Sequence, residues 1–344
     1  MVRFSILITA WYRQNARELP WRNTRDPYLI WLSEIILQQT RVEQGLPYYL
    51  KFAKNYPKIA DLANAKEDDV LKDWQGLGYY SRARNLQTAA KQVIDTYKGE
   101  FPQTYDEIIN LKGIGDYTAS AISSFAFDEV KAVVDGNVYR LLSRYLDIHT
   151  AIDSTIGKKE FKKAAEELID PNNPAEHNQA IMEMGALICT PKNPNCQECP
   201  LIESCVGYEK RTFLELPKKA NKIKVRNRYF HYLLIEKDGK TFINKRGPKD
   251  VWQGLYDFPL IEQDDAGDIS AESQSDFGLK NLEKVAEMKH VLSHQRIYAS
   301  FWKADVKGDN SELKLHQKID IKDIADYPMP QLLIRYLESS ANIW

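Results

Sequence analysis

The 344-residue sequence has no apolar run long enough to span a bilayer. Its opening Met1-Val-Arg-Phe-Ser-Ile-Leu-Ile-Thr-Ala-Trp-Tyr-Arg is apolar only briefly and then periodic, unlike a secretory signal. It also lacks an excess of either charge. Lys and Arg number 47 against 48 Asp and Glu, a formal net charge of −1. That excludes a uniformly basic nucleic-acid binder, so any DNA contact has to come from a local basic stripe and from backbone amides. Internal repeats and low-complexity tracts are absent. Cysteine is scarce, and all four fall in one window: Cys189, Cys196, Cys199 and Cys205. A disulfide framework spreads its cysteines over the elements it staples, which this C-x6-C-x2-C-x5-C spacing does not do. Four thiols in a loop interrupted by Pro191, Pro194 and Pro200 instead suggest one set of metal ligands. Zinc sites usually pair two short hooks, and only one is present; a four-thiolate iron–sulfur cluster tolerates the uneven gaps. The cluster is the preferred expectation and zinc the alternative. All this fits a soluble, cytoplasmic protein.

What is present divides the chain by texture. Up to about residue 210 the apolar residues recur at helical intervals, in Ile30–Leu37, Val70–Trp74, Ala89–Ile94, Ala119–Ala126, Val138–Leu146 and Phe161–Leu168. Pro217 to Arg228 holds six basic residues and no acidic one, a linker composition that could also follow a phosphate backbone. Beyond it, Tyr229–Ile235 and Thr241–Ile243 flank Asp238-Gly239 and predict a β-hairpin. Leu255–Leu260 and Ile297–Phe301 are further strand candidates, and Ile324–Ser339 a closing helix. The expected organisation is a mainly α part over 1–212 with the cluster loop at 189–205, a basic linker over 213–228, and an α+β domain over 229–344.

Chemistry concentrates in a few places. The segment Tyr28-Leu-Ile-Trp-Leu-Ser-Glu-Ile-Ile-Leu37 is apolar on nearly every face, with Glu34 its only ionisable residue. Either Glu34 occupies one exposed stripe beside Ser33, or it is a desolvated carboxyl suited to general acid work. Gly113-Ile-Gly115 lies between two helical segments, as in a helix–hairpin–helix element that offers backbone N–H groups to a DNA phosphate. A plain packing joint is the alternative. Asp135, before Gly136-Asn137, would ordinarily be a helix cap; paired with Glu34 it would supply the second carboxylate of glycosidic-bond chemistry.

These features together resemble the endonuclease III superfamily of base-excision DNA glycosylases. Pro20-Trp21-Arg22, Asp26 to Thr40, Trp74 to Leu86 and Asn178 to Cys189 resemble its adenine-excising branch, and the likeness covers essentially the whole chain. It implies a helix–hairpin–helix glycosylase fold with a [4Fe–4S] cluster held by Cys189, Cys196, Cys199 and Cys205, followed by a Nudix-like domain. It implies a monomer acting on duplex DNA with adenine opposite 8-oxoguanine or guanine, nucleoid-associated when on DNA and with no membrane partner. The target base would be flipped into a pocket. Glu34 would protonate the adenine ring, and Asp135 would stay ionised and stabilise the oxocarbenium-like sugar. Tyr117 would assist at the sugar, and Asn137 would order Asp135 and water. Arg22 and Glu183 would surround the adenine; Gln39 and Tyr79 would wedge into the vacated stack, with Leu77 beside them. Gly113 and Gly115 would hold the phosphate. Ser293 and His294 would read the 8-oxoguanine edge, with Leu292 as a wedge.

Departures from the pattern carry information. Tyr117 stands where strand-cleaving relatives have a Lys nucleophile, so Schiff-base chemistry loses its amine and a monofunctional enzyme is expected. No Nudix box, G-x5-E-x7-R-E-x2-E-E, occurs in residues 229–344, so that domain should recognise rather than hydrolyse. Leu292 replaces an aromatic ring. Lys112 replaces a Pro, and Asp116 puts a carboxylate near the expected phosphate. A bifunctional glycosylase for oxidised pyrimidines is disfavoured by Tyr117 and by the C-terminal domain. The Glu34 and Asp135 pair argues against a non-catalytic damage-binding protein with structural zinc.

Overall fold

The computed structural model describes residues 2–221, 224–306 and 313–339. Met1, the 222–223 stretch of the expected linker, and 307–312 and 340–344 of the expected C-terminal domain lie outside them. The chain divides into two compact units, Met1–Asn64 with Thr88–Asn221 and Ala65–Gln87 with Lys222–Trp344. The stretch Ala65–Gln87, inside the expected 1–212 segment, thus groups with the C-terminal residues.

The first unit is helical. Helix Pro27–Ile36 starts where Asp26 accepts from the Tyr28 amide (2.8 Å) and Pro27 fills the first turn. Residues Ile30 to Ile36 are all buried, Glu34 included. This helix packs against Asp116–Phe127, whose Ala119, Ser120, Ala121, Ser123 and Ser124 are buried small side chains. Gly136–Tyr145 packs against Pro174–Leu187, which also lies on Val2–Asn15. Phe4, Ile8, Val138, Leu142, Phe161, Ile181 and Met184 belong to the core these helices share. The two inner helices approach closely at Gly185. A Cβ there would lie 2.7 Å from Asn137 Cβ and 2.9 Å from its carbonyl oxygen. Gly185→Ala is therefore expected to lower stability by about 1–3 kcal/mol through overpacking. It should also slow base excision, because the displaced turn carries Asp135. Calorimetry and single-turnover kinetics on the one variant check both effects.

Among its described residues the second unit holds seven strands: β1 Arg226–Leu234, β2 Lys240–Lys245, β3 Tyr256–Asp257, β4 Leu260–Gln263, β5 Leu279–Val291, β6 Gln295–Val306 and β7 Gln317–Asp320. They form a four-stranded sheet ordered β4-β1-β6-β5 and a three-stranded sheet ordered β3-β2-β7. Strands β1 and β6 run parallel, with Phe230 opposite Ala299 and Tyr232 opposite Phe301. The expected hairpin is half realised. Asp238 (φ 57) and Gly239 (φ 69) make a tight turn closed by Lys237 N to Lys240 O at 2.9 Å. Its arms then diverge into different sheets, because β1 is buried on both faces from Phe230 onward and takes β4 and β6 as partners. Helix Gln331–Ser339 closes the unit, but Pro328 and Pro330 separate it from a 3-10 turn at Ile321–Asp326 that the sequence joined to it. Ala65–Gln87 is tied in by polar contacts. Asp68 accepts from Lys245 Nζ (2.6 Å) and the Tyr256 hydroxyl (3.0 Å), and Gln75 Oε1 accepts from the Met329 amide (3.1 Å).

The basic linker is not uniformly available to a phosphate backbone. Its last residues are strand β1, and Arg228 is 7% exposed, forked onto Glu262 (2.7 and 2.6 Å) and Asp250 (2.6 and 3.0 Å). Those two carboxylates hold Arg228 inside the unit.

Candidate active site

A cavity of about 630 Å³ in the helical unit is lined by Glu34, Tyr117, Asp135, Asn137, Arg22 and Glu183, among others. All six were singled out in the sequence, and the fold brings them to one place. Glu34 is 8% exposed on the buried Pro27–Ile36 helix. Burial pushes its carboxyl up to about 7; the nearby Asp135 charge adds to this, while a hydrogen bond from Tyr117 and the charge of Arg22 oppose it. The Tyr117 hydroxyl donates to Glu34 Oε2 at 2.6 Å. Tyr117 is itself raised well above its ordinary value, first by burial and then by the two carboxylates. It stays a proton donor.

Asp135 caps helix Gly136–Tyr145. Its Oδ1 accepts from the amides of Asn137 (2.9 Å) and Val138 (2.8 Å), and its Oδ2 from Asn137 Nδ2 (2.7 Å). Burial raises its pKa, and these three donors and Arg140 pull against that. The helix cap and the second carboxylate are therefore one residue. Two carboxyls on one cavity wall differ in support: one hydroxyl donor for Glu34, three N–H donors for Asp135. That difference favours a proton on Glu34 and charge on Asp135.

Four arginines join this site and the cysteine loop to distant segments, and three of them, Arg17, Arg140 and Arg144, were not singled out in the sequence. Glu183 is 1% exposed and is held by Arg17 through N, Nε and Nη2 (2.9, 2.8 and 2.7 Å) and by Arg22 through Nη1 and Nη2 (3.1 and 2.7 Å). Although burial alone would raise it, those bonds bring the Glu183 carboxyl down to about 2. Arg17 was missed because its partner lies 166 residues away. Arg140 donates to Asn137 Oδ1 (2.9 Å), the Gly185 carbonyl (2.6 Å) and the Cys189 carbonyl (2.6 Å). It ties the Asp135 turn to the first residue of the cysteine loop. Arg144, 2% exposed, reaches the same loop, donating to the Thr190 and Pro191 carbonyls (2.8 and 3.0 Å) and to Cys189 Sγ (3.4 Å).

Cys189, Cys196, Cys199 and Cys205 line a single apolar pocket with Ile188, Pro194 and Arg144. No three His, Cys, Asp or Glu among the described residues group closely enough to hold one metal ion. Four cysteine thiols lining one pocket are the donor set of a four-thiolate iron–sulfur cluster. Burial and the neighbouring thiols push Cys199 up to about 11, so this thiol needs bound cationic metal to become a thiolate. The donor set and the Arg144 guanidinium fit a cluster with four thiolate ligands, which would pin four points of this loop.

At the hairpin, Gly113 takes φ 78, a conformation that glycine adopts without a Cβ penalty, and Gly113 and Gly115 are both exposed. Gly115 caps helix Asp116–Phe127 without a side-chain cap on its first-turn amides. Lys112 is exposed, its amide held by Gln92 Oε1 (2.7 Å). Asp116 is engaged by the Tyr105 hydroxyl (2.8 Å) and Lys162 Nζ (3.3 Å), which offset its charge beside the turn. The remaining sequence-chosen residues lie elsewhere. Gln39 is exposed at the cavity rim, with φ 56. In the other unit Tyr79 is 46% exposed with φ 48, while Leu77 is buried at 6%. Two non-glycine residues in the left-handed region at exposed turns mark stored backbone strain. Leu292, Ser293 and His294 form the connection between β5 and β6; the last two are exposed and Leu292 is half-buried.

A buried acid beside a Gly-Ile-Gly turn, followed by a four-cysteine loop, marks the helix–hairpin–helix class of base-excision glycosylases. The comparisons with known proteins agree. The HhH-GPD superfamily of base excision DNA repair proteins matches residues 32–171, the iron–sulfur binding domain of endonuclease III matches 189–205, and the NUDIX domain matches 231–339. An adenine DNA glycosylase of Buchnera aphidicola subsp. Baizongia pistaciae is 38% identical, over 85% of this chain and 83% of its own length. One from Mus musculus is 33% identical, over 84% and 68%. A thermostable thymine-DNA glycosylase structure is 32% identical with TM-score 0.56, covering 60% of this chain and 95% of that one. A trapped endonuclease III–DNA covalent intermediate shares the fold at 24% identity and TM-score 0.53, over 61% and 96%. The chain belongs to the adenine DNA glycosylase family. It is a DNA-repair hydrolase of the adenine glycosyl bond, with DNA as partner and a [4Fe–4S] cluster as cofactor. Among the described residues no helix is long and apolar enough to cross a membrane.

Proposed function

We propose that this chain removes adenine paired with 8-oxoguanine or guanine and stops at the abasic site. The observation that carries this reading is the Tyr117–Glu34 hydrogen bond (2.6 Å) in the cavity. The position that would need an amine for Schiff-base chemistry holds a phenol, and that phenol is committed to the acid. Glu34 delivers its proton to a ring nitrogen of adenine, and the C1′–N bond then breaks with its electron pair going to the base. Asp135, ionised on its three donors, faces the positive charge that develops at the sugar. Water, ordered by Asn137, adds to C1′ and passes its proton to the Glu34 carboxylate, which restores the acid.

Arg22 and Glu183 surround the adenine, and Gly113 and Gly115 hold a phosphate of the damaged strand. Gln39 and Tyr79, with Leu77 behind the latter, fill the vacated stack. The Nudix-like residues recognise the opposite base through Ser293 and His294, with Leu292 wedged beside it. The enzyme acts as a monomer on the nucleoid, with a glycosylase domain over 1–212, a connector over 213–228 and the recognition domain over 229–344.

The test uses duplexes holding adenine opposite 8-oxoguanine, adenine opposite guanine, or an oxidised pyrimidine. Adenine is expected from the first two, with intact strands until alkali is added and no adduct on borohydride treatment. Release of the oxidised pyrimidine, or a borohydride-trapped enzyme–DNA adduct, would overturn the proposal.

A further inference from the structure

Two residues assigned to different tasks touch in this structure. The Tyr79 hydroxyl and Ser293 Oγ lie 2.9 Å apart, within the same compact unit, and either oxygen can be the donor. Both hydroxyls sit on braced turns. Tyr79 follows Gly78 with φ 48. The Arg82 guanidinium lies over its ring at 5.7 Å and over Trp74 at 5.1 Å. Arg82 Nη2 and Trp74 Nε1 both donate to the Gly78 carbonyl, at 3.2 and 3.0 Å. Opposite, the Leu292–His294 connection is closed by Leu292 N to Gln295 O (2.8 Å) and anchored by Arg226 N to His294 O (3.0 Å). Neither hydroxyl meets the other by chance rotation of a loose loop.

The pairing matters because of what a serine hydroxyl can and cannot read. Guanine presents a lone pair at N7, whereas 8-oxoguanine presents N7–H. A free hydroxyl donates to the first or accepts from the second, so by itself it accommodates both. Discrimination requires that its proton be committed elsewhere. We propose that Tyr79 is a specificity-determining positioning residue whose hydroxyl oxygen accepts the hydrogen bond donated by the Ser293 hydroxyl, leaving Ser293 Oγ free only to accept from the base. The pair then receives an N7–H and meets an N7 lone pair with like polarity, an uncompensated contact. Among the described residues Ser293 has no second hydrogen-bond partner that would compete for its proton. The Tyr79 proton is left for water or a phosphate oxygen. This inference rests on the proposed assignment of Ser293 to the opposite base. Its expected size is that of one base-edge contact, about tenfold in discrimination.

The test compares Tyr79→Phe, Ser293→Ala and the double variant, in single-turnover adenine excision and duplex binding. The opposite base is 8-oxoguanine, guanine or 7-deazaguanine, the last having neither donor nor lone pair at that position. Tyr79→Phe keeps the wedging ring and frees the serine proton. The 8-oxoguanine:guanine ratio should fall about tenfold, with the change carried by improved binding and excision opposite guanine. A merely structural role would weaken both duplexes together. Wild type should prefer 7-deazaguanine to guanine, and the variant should not. In the Ser293→Ala background the Tyr79 change should cost no further discrimination.

An unchanged ratio in Tyr79→Phe, an equal loss on both duplexes, or additive effects in the double variant would each overturn the pairing. A raised ratio would show the opposite polarity, with Tyr79 as donor, and would overturn it too. A ratio lowered by Ser293→Ala but not by Tyr79→Phe leaves the assignment of Ser293 standing and removes only Tyr79's part. Wild type with no preference between the two duplexes overturns the underlying assignment and this inference with it.

Discussion

Glu34→Gln should abolish adenine release while making the protein more stable above neutral pH. The amide keeps the shape and can still accept from Tyr117, but it has no proton of suitable acidity for the base. A fall of at least about 10³-fold in single-turnover rate is expected, within the range of a lost general acid. The stability effect follows from burial. Burial raises the folded carboxyl to about 7 from its ordinary value of 4.5. A folded pKa above the unfolded one means that stability is fully present below the unfolded value and is lost as pH rises through the folded value. Between about pH 4.5 and 7 the wild type should lose on the order of 3 kcal/mol, a loss that the uncharged amide of the Glu34→Gln variant does not undergo. Denaturant titrations of both proteins at pH 5 and pH 8 read this as a gap that opens with pH. The same titration predicts that wild-type excision falls as pH rises past about 7. A pH-independent gap, or retained excision in the variant, would remove Glu34 from its role.

The helical unit was legible because its signals are local. Helical spacing located the buried segment around Glu34, and of the two readings open for one carboxyl in an apolar decapeptide, the exposed stripe and the desolvated group, the fold shows the second. Four cysteines within seventeen positions of chain, Cys189 to Cys205, needed no tertiary information to be read as one site. Long-range partners were not legible. Nothing local distinguishes Arg17 from any surface arginine, yet it braces Glu183. Arg140 looks like one residue of an amphipathic helix until Gly185 and Cys189 fold onto it. The Asp116 carboxylate looked unfavourable beside a phosphate because Lys162, which meets it, lies on another helix.

In the C-terminal unit two register shifts in β5, between Lys280 and Glu283 and between Lys284 and Ala286, break its alternation, and with Glu, Lys and Asn at most outward positions they hid a thirteen-residue strand. The two arms around Asp238-Gly239 read correctly as a turn and wrongly as a hairpin. Turn chemistry is set by two residues; sheet membership is set by which strands compete for the edge, and that competition involves segments up to about seventy residues away in β6.

Asp135→Asn separates the two duties that one residue carries here. As a cap, Asn is nearly as good as Asp, because its side-chain oxygen still accepts from the amides of Asn137 and Val138. The variant should therefore keep its fold, with a stability loss of no more than about 1 kcal/mol. What it loses is charge. The neutral amide cannot offset the positive sugar, and its Nδ2 hydrogens would face the Nδ2 donor of Asn137 that Oδ2 now accepts (2.7 Å). Excision should fall by about 10²–10³-fold, the scale of removing one preorganised electrostatic partner of a transition state. Asp135→Ala loses cap and charge together and should unfold at lower temperature as well. Thermal melts with single-turnover rates on both variants divide the contributions. If Asn at this position melts like Ala and both excise at nearly the wild-type rate, Asp135 is a cap and no more. If Asn melts like the wild type and excision still collapses, the charge is what the cavity requires.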